Sequence, residues 1–342
     1  MAKLKAAIIG CGGRGREHAM GYAASDQVEI VAVVDPRVEA RTAAAEKFGV
    51  KAAYASHQQM FAEHRPDIVS ICTWTGWHPL HVRESAAGVR AIHCEKPMAP
   101  TWGEAKAMFA QCEKAGVQLT FCHQRRFGAH FITARRLAME GAIGKVERME
   151  GFCSNMFDWG THWFDMFCFN NDETPAVSVL GQIDVAKWHR VFGVPVESSG
   201  ISCVQFANGV HATLHTGADH GGTCSNRIIG SEGVIEVEVS KGPRVRMLRE
   251  GGSGWEVPPL EGVVPAGGDT VLSVLDAIAC LQSGARSTLG SHNALRSTEL
   301  IFATYESSRR RGRVTLPLDT DDSALLELLG ADGHVVLDGM PG

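Results

Sequence analysis

The first fifteen residues constrain this chain more than any other stretch. Leu4-Lys5-Ala6-Ala7-Ile8-Ile9 is an apolar run of strand length that stops at Gly10-x-Gly12-x-x-Gly15, and the segment from Arg16 to Ala24 then reads as a helix. A second apolar strand, Val28 to Val34, ends in Asp35, twenty residues after Gly15. Each part has a physical task in gripping a dinucleotide. Gly10 permits the tight turn, Gly12 lets the backbone approach a pyrophosphate, and Gly15 lets the helix pack closely on the strand. Gly13 and Arg14, inside the same turn, join the expected cofactor site. The pyrophosphate then rests at a helix N-terminus, where free N–H groups and the macrodipole favour negative charge. Asp35 is placed to accept from a ribose 2′-hydroxyl, which favours NAD. Arg37, just past the strand, is placed to pair with a 2′-phosphate and keeps NADP open.

At 342 residues the chain is long enough for two domains. Strand and helix alternate up to residue 124, with further strands expected at 52–54, 68–72, 91–94 and 118–122 and helices at 38–48, 58–64, 80–87 and 102–115. Alternating βα units with apolar strands predict a doubly wound parallel sheet. The strand ends carry Gly10, Asp35, Thr73, Glu95 and His123, and ligands bind beyond such ends, so these five are expected around one crevice. After a helix at 129–140 the rhythm changes to long strand-like runs at 145–156, 177–188, 199–206, 211–216, 226–230, 233–239 and 244–249, with turns such as Asn208-Gly209. Helices at 270–282 and 294–310 follow. The expected class is α/β: an N-terminal Rossmann sheet over 1–124, then an α+β domain over 125–342 with an open, mostly antiparallel sheet.

A net charge of −5 with both signs interspersed predicts neither a nucleic-acid partner nor an anionic membrane surface. Arg309-Arg310-Arg311 reads as a helix C-terminus, where cations suit the dipole. No run of 18 apolar residues offers a membrane span, and a first strand opening at Leu4 leaves no room for a leader. The ten cysteines include no CxxC pair and several sit in apolar strands, so they are read as reduced core residues of a cytoplasmic protein.

The remaining candidates for chemistry cluster around three segments. Lys96 follows a strand within His93-Cys94-Glu95-Lys96-Pro97 and reads by itself as half of a strand-end ion pair. Asp158 and His162 are four apart and Asp165 is seven from Asp158, which places all three on one face if the helix starts near Trp159. Asp158 is also placed to cap that helix. His162 is the best acid–base candidate, because its ordinary pKa lies near neutrality. Asp165 reads as structural. A metal held by Asp158, His162 and His123 has no HxH or HExxH spacing behind it, and none is expected. Arg125 is expected to face the crevice. His78 either reaches the nicotinamide ribose or simply opens a helix. Asp219 and His220, in a glycine-rich loop, are placed to border a substrate.

Taken in order, Gly10-x-Gly12-x-x-Gly15, Asp35, Glu95-Lys96-Pro97, Arg125-Arg126-Phe127, Gly141-x-Ile143-Gly144 and Asp158-x-Gly160-x-His162-x-x-Asp165 resemble the Gfo/Idh/MocA oxidoreductases, the family of glucose–fructose oxidoreductase and inositol dehydrogenase. The resemblance spans Leu4 to about Pro317. It implies a sugar, cyclitol or sugar derivative as small-molecule substrate, NAD as cofactor, and a C-terminal sheet that forms a homodimer or homotetramer interface. It implies that Lys96, Asp158 and His162 are catalytic and that His123, Arg125 and Trp159 line the substrate. It adds Thr73, Trp74, His78, Glu95, Lys96 and Gln124 to the cofactor site, with Glu95 touching a ribose or holding Lys96. Two departures stand out. The family's Thr-Pro-Asn is Thr73-Trp74-Thr75, and its Asn before the double arginine is Gln124. Trp74 and Trp77 are expected to narrow the pocket on the nicotinamide side. The leading activity is hydride transfer between nicotinamide and a secondary alcohol. A redox-neutral NAD-dependent glycosidase or lyase of the same family, and a non-catalytic sugar or dinucleotide sensor, are the alternatives.

Overall fold

Six strands, β1 (Leu4–Ile9), β2 (Val28–Val34), β3 (Ala53–Tyr54), β4 (Ile68–Ile71), β5 (Ala91–Cys94) and β6 (Gln118–Phe121), form an all-parallel sheet of order β3-β2-β1-β4-β5-β6. The computed structural model describes residues 3–217, 224–262 and 268–337. The sheet is parallel because helices α1 (Gly13–Ala23), α2 (Val38–Phe48), α3 (His57–Glu63), α4 (His78–Ser85) and α5 (Trp102–Ala115) carry the chain back between strands. The order reverses between β1 and β4, which opens a crevice at their carboxyl ends. The expected first helix starts three residues early, at Gly13 and not at Arg16. Glycines are poor helix formers in isolation, and the turn runs straight into the helix here.

The second half begins with α6 (Ala129–Met139) and builds an eight-stranded sheet. Its strands are β7 (Val146–Cys153), β8 (Ala176–Asp184), β11 (Ser199–Phe206), β12 (His211–Thr216), β13 (Cys224–Gly230), β14 (Gly233–Val239), β15 (Val245–Arg249) and the short β16 (Val314–Thr315). The order is β15-β14-β13-β7-β12-β11-β8-β16, antiparallel throughout except for the parallel β7–β12 pair. Helices α7 (Gly160–Asn170) and α9 (Ser291–Arg310) bury one face of this sheet, and α10 (Ala324–Leu329) follows. Met149, Val204 and Leu214 meet Phe164, Phe167 and Phe302 there. The opposite face exposes Leu180 and Ile201.

Two features escape the hydrophobic pattern. The long run expected at 177–188 ends at Asp184, and a small hairpin, β9 (His189–Val191) and β10 (Val194–Val196), follows it. Its two-residue loop is Phe192-Gly193, both at positive φ (47° and 80°), as tight hairpins require. The usual Asn-Gly signal is absent. In addition, α8 (Gly268–Ser283) returns to the first sheet and packs Val274, Ala277 and Ile278 against Ala6, Ile8 and Tyr22. A Cβ on Gly21 would lie 2.5 Å from Val274, so that helix crossing needs glycine. The parallel sheet is thus completed by a helix from the far side of the sequence.

Candidate active site

The glycine turn does what its spacing predicts. Gly10 has φ 95°, and Gly15 lies so close to it that an added Cβ would sit 1.8 Å from the Gly10 carbonyl oxygen. Gly15 therefore acts by close packing, behind the cleft surface. Gly12 and Gly13 face open space, with nothing nearer to a Cβ than Arg37 at 3.9 Å. No side chain caps α1, so its first-turn N–H groups remain available to a phosphate. Asp35 is buried at the end of β2. Its oxygens accept from the Cys11 N–H (2.9 Å), the Arg37 N–H (2.9 Å) and the Arg37 side chain at 3.1 and 3.2 Å. Four donors fill a carboxylate's usual capacity. A ribose hydroxyl reaches Asp35 only if Arg37 swings away, which ties the two residues the sequence set in opposition into one unit.

A cleft of about 530 Å³ runs from this turn to the second half. Gly10, Gly12, Gly13, Arg14, Asp35 and Arg37 line one end; Thr73, Trp74, Glu95, Lys96, Gln124, Arg125, Asp158, Trp159 and His162 line the rest, together with Phe192. Arg14 comes from the first turn of α1, and the segments after β1, β2, β4 and β5 supply Gly10, Asp35, Thr73, Trp74, Glu95 and Lys96. Gln124 and Arg125 come from the turn after β6, and Asp158, Trp159 and His162 from the entry to α7.

Lys96 and Asp158 meet across the two halves. The Lys96 Nζ donates to Asp158 Oδ1 at 2.6 Å and to its backbone oxygen at 3.1 Å, which leaves one of three N–H donors free. Asp158 does not cap the helix, as its spacing suggested. The helix begins at Gly160, and the Asp158 N–H itself donates to the Asn155 side-chain oxygen at 2.7 Å. Nor does Asp158 orient the imidazole; its carboxylate faces Lys96. His162 lines the same cleft, and its Nδ1 is buried without a protein partner among the described residues. Burial first, then the charges of Lys96 and Arg125, push its pKa well below the ordinary histidine value. At neutral pH its imidazole is therefore uncharged. Gln124 Oε1 and Arg125 Nε are likewise buried and unpartnered. Three such atoms beside one cleft call for a polar occupant.

Glu95 accepts from Arg14 Nε at 2.7 Å and lies 3.0 Å from His18 Nε2. Burial alone would raise its pKa, but Arg14 and His18 outweigh it and hold the carboxyl well below the usual range. Its side chain braces the glycine-turn helix; the Lys96 ammonium is held by Asp158 instead. His18 also contacts Ser70 at 2.9 Å, and nothing in the sequence marked it. Arg125 pairs with Glu238 at 3.2 Å and lies over the ring of Trp163 at 4.3 Å. Trp159 is exposed to the cleft.

Several expected ligand residues prove to be internal braces. His78 is fully buried, with Nδ1 on the Pro97 oxygen (3.0 Å) and Nε2 on the Thr73 oxygen (3.1 Å), so it ties two cleft segments together and touches no cofactor space. His123 lies behind the cleft, its Nε2 3.1 Å from Thr161 Oγ1. Its ring stands edge-on to that of His162, with 5.9 Å between centroids. Trp77 turns away and donates to the Leu337 oxygen at 3.1 Å. Asp165 and Arg126 form a buried bidentate pair at 2.9 Å in both contacts. His18, His93 and Cys122 offer ligand atoms within 4.8 Å of one another, yet their polar atoms are engaged by Ser70, Glu95, Thr120 and Ser273. Asp219 and His220 lie outside the described residues.

Comparison with known proteins decides the family. The oxidoreductase family model with the NAD-binding Rossmann fold matches residues 4–123, and the GFO/IDH/MocA C-terminal domain matches residues 154–236. The chain belongs to the Gfo/Idh/MocA oxidoreductases. Within this family it is 28% identical to the D-apiose dehydrogenase of Paraburkholderia graminis, over 92% of this chain and 90% of that one. It is 24% identical to the inositol 2-dehydrogenase of Rhizobium meliloti, over 90% and 98%. Among solved structures, levoglucosan dehydrogenase in complex with NADH and L-sorbose superposes with a TM-score of 0.80 at 18% identity, covering 93% of this chain and all of that one. An oxidoreductase from Agrobacterium radiobacter, in complex with NAD+, L-tartaric acid and magnesium, gives 0.78 at 21%, over 92% and 98%. The family supplies NAD as cofactor, and the uncapped α1, the open faces of Gly12 and Gly13 and the buried Asp35 fit it.

Proposed function

We propose that the protein is an NAD-dependent dehydrogenase that oxidises a secondary alcohol of a sugar, cyclitol or sugar derivative. One observation carries this reading: the Lys96–Asp158 pair and the buried, unpartnered Nδ1 of His162 border the cleft that begins at the glycine turn. The names of the relatives, which act on D-apiose and inositol, agree in substrate class. Bound NAD supplies the hydride acceptor. His162 takes the hydroxyl proton, because burial and neighbouring cations keep it neutral. Lys96 donates its free N–H to the substrate oxygen and stabilises developing negative charge. Asp158 holds the ammonium in place through a 2.6 Å contact. Gln124, Arg125 and Trp159 position the remaining hydroxyls and the ring. A panel of sugars and cyclitols, each assayed with NAD+ and with NADP+ at the reduced-nicotinamide absorbance band, tests the reading. Reduction of NAD+ by at least one polyol is expected. A preference for NADP+ would assign the 2′-phosphate to Arg37 and overturn the role given to Asp35.

We also propose a reducing, cytoplasmic setting, since all ten cysteines are free, and a homodimer or homotetramer. The open face of the eight-stranded sheet supports the second point. Leu180 and Ile201 are exposed there beside a hollow of about 580 Å³ that reaches Arg311, and contiguous apolar faces are uncommon on monomers. Light scattering at micromolar concentration is expected to give a multiple of 36.8 kDa; the monomer mass would count against this assembly.

A further inference from the structure

The β9–β10 hairpin belongs to the second half of the chain, yet its tip residue Phe192 lines the cleft. The ring is 49% exposed, on a loop residue with φ 47°. A phenylalanine in left-handed backbone is disfavoured, and glycine or asparagine would make this turn more easily. Trp74, 38% exposed, lies in the same cleft wall, and a Cβ on Gly193 would come within 3.4 Å of its indole. Trp74 thus packs on the hairpin turn. Trp159, 45% exposed, lines the cleft as well. Three large, partly exposed rings therefore line one crevice that is also lined by the Lys96 ammonium and the His162 imidazole. A sugar ring offers matching chemistry, with C–H groups on its faces and hydroxyls at its edges.

The segment 331–337 holds this wall together. The Val336 N–H donates to the Gly193 oxygen at 2.9 Å. Arg190, on the hairpin, donates to the Asp332 oxygen at 2.7 Å and to the His334 oxygen at 3.3 Å. On the other side, the Leu337 oxygen accepts from Trp77 at 3.1 Å, and Gly76 lies so close that a Cβ would meet Leu337 at 2.6 Å and Val335 at 2.9 Å. One stretch of chain thus ties the hairpin of the second half to the turn after β4 of the first. That turn carries Trp74.

We propose that Phe192 is a specificity-determining residue whose ring, beside Trp74, receives the C–H face of the sugar-like substrate, with Arg190 and the 331–337 segment as the positioning device. This rests on the dehydrogenase reading above. The test takes a polyol that the wild-type protein oxidises. Phe192→Ala is expected to raise its KM about 10-fold, the scale of one aromatic contact, with kcat changed less than ~3-fold and NADH affinity by fluorescence unchanged. Phe192→Tyr keeps the ring and should keep the KM. Arg190→Leu should raise KM in the same direction by a smaller factor. An unchanged KM in Phe192→Ala would overturn the proposal. So would a loss of NADH affinity equal to the rise in KM, because the ring would then cover the dinucleotide. If the wild type oxidises no panel member, the dehydrogenase reading fails by itself. Saturation-transfer NMR of the same sugars against the wild type and Phe192→Ala, with NADH present, then reads the wall directly. Signals lost only in the variant support it; equal signals, or none from either protein, overturn it.

Discussion

Replacing His162 with alanine is expected to lower turnover at least ~10²-fold while leaving NAD binding intact, the usual scale for losing a positioned acid–base group. The imidazole lines the cleft away from Gly10, Gly12, Gly13 and the start of α1, where the dinucleotide is proposed to bind. Lys96→Ala should cost a similar factor, because the free N–H proposed to meet the reacting oxygen would be worth most where negative charge develops. The pH profile separates the two roles. The His162 pKa lies well below the ordinary histidine value, through burial and then through Lys96 and Arg125. A base with a depressed pKa stays deprotonated as the medium is acidified. The acidic limb of kcat/KM should therefore fall below pH ~6.5, the unperturbed histidine value. Lys96→Ala removes one of the charges that depress the pKa, so its limb should move upward. Full turnover in His162→Ala would sink the base assignment and leave Lys96 as the acid–base candidate. A limb at or above the ordinary value would show that the titrating group is another residue.

Arg126→Met is expected to destabilise the protein by ~3–5 kcal/mol, the scale for breaking a buried ion pair from one side. Both Arg126 and Asp165 have side chains only 1% exposed. The guanidinium meets Asp165 in two contacts of 2.9 Å, and also reaches Glu173 at 2.6 Å and Thr288 at 3.1 Å. Removing it leaves the Asp165 carboxylate buried, with His123 3.8 Å away as the nearest remaining cation candidate. His123 compensates poorly, because burial depresses its pKa. Urea unfolding of the single variant and of Arg126→Met/Asp165→Leu would read this. The double variant should recover most of the loss, since replacing both partners by apolar groups of similar size is often near neutral. A single-variant loss below ~1 kcal/mol would place the pair with ordinary surface bridges. The pair also has a functional consequence. It joins the turn that presents Gln124 and Arg125 to the helix that carries His162, so activity should fall in the single variant and return in the double one.

The dinucleotide half was legible because its function resides in backbone. A glycine turn, a following helix and an acid at the next strand end act through local geometry, and local geometry is what spacing encodes. Strands and helices of the first sheet followed the same logic, with apolar runs of strand length between helical periods. The substrate end was legible only as a set of residue types. Asp158, His162 and Asp165 share a helical spacing, but the helix starts after Asp158. The two carboxylates therefore serve different partners, Lys96 and Arg126. His78 opens α4 and His123 follows β6, and both still face inward. A histidine with a backbone carbonyl or a threonine hydroxyl in reach is satisfied there, and no spacing rule reports that.

The sequence by itself determined the parallel sheet, the glycine turn and the residue types around the crevice, because every pairing in that sheet except β1–β4 joins neighbouring βα units of the chain. Tertiary structure alone decided which of those residues meet. Lys96 and Asp158 are 62 positions apart, and Arg125 and Glu238 are 113 apart. The hairpin that carries Phe192 to the cleft is hydrogen-bonded to a segment some 140 positions further on. Pairing over such separations is set by how two sheets and their helices bury a common core, and a charged side chain accepts whichever opposite partner that packing brings within hydrogen-bonding distance.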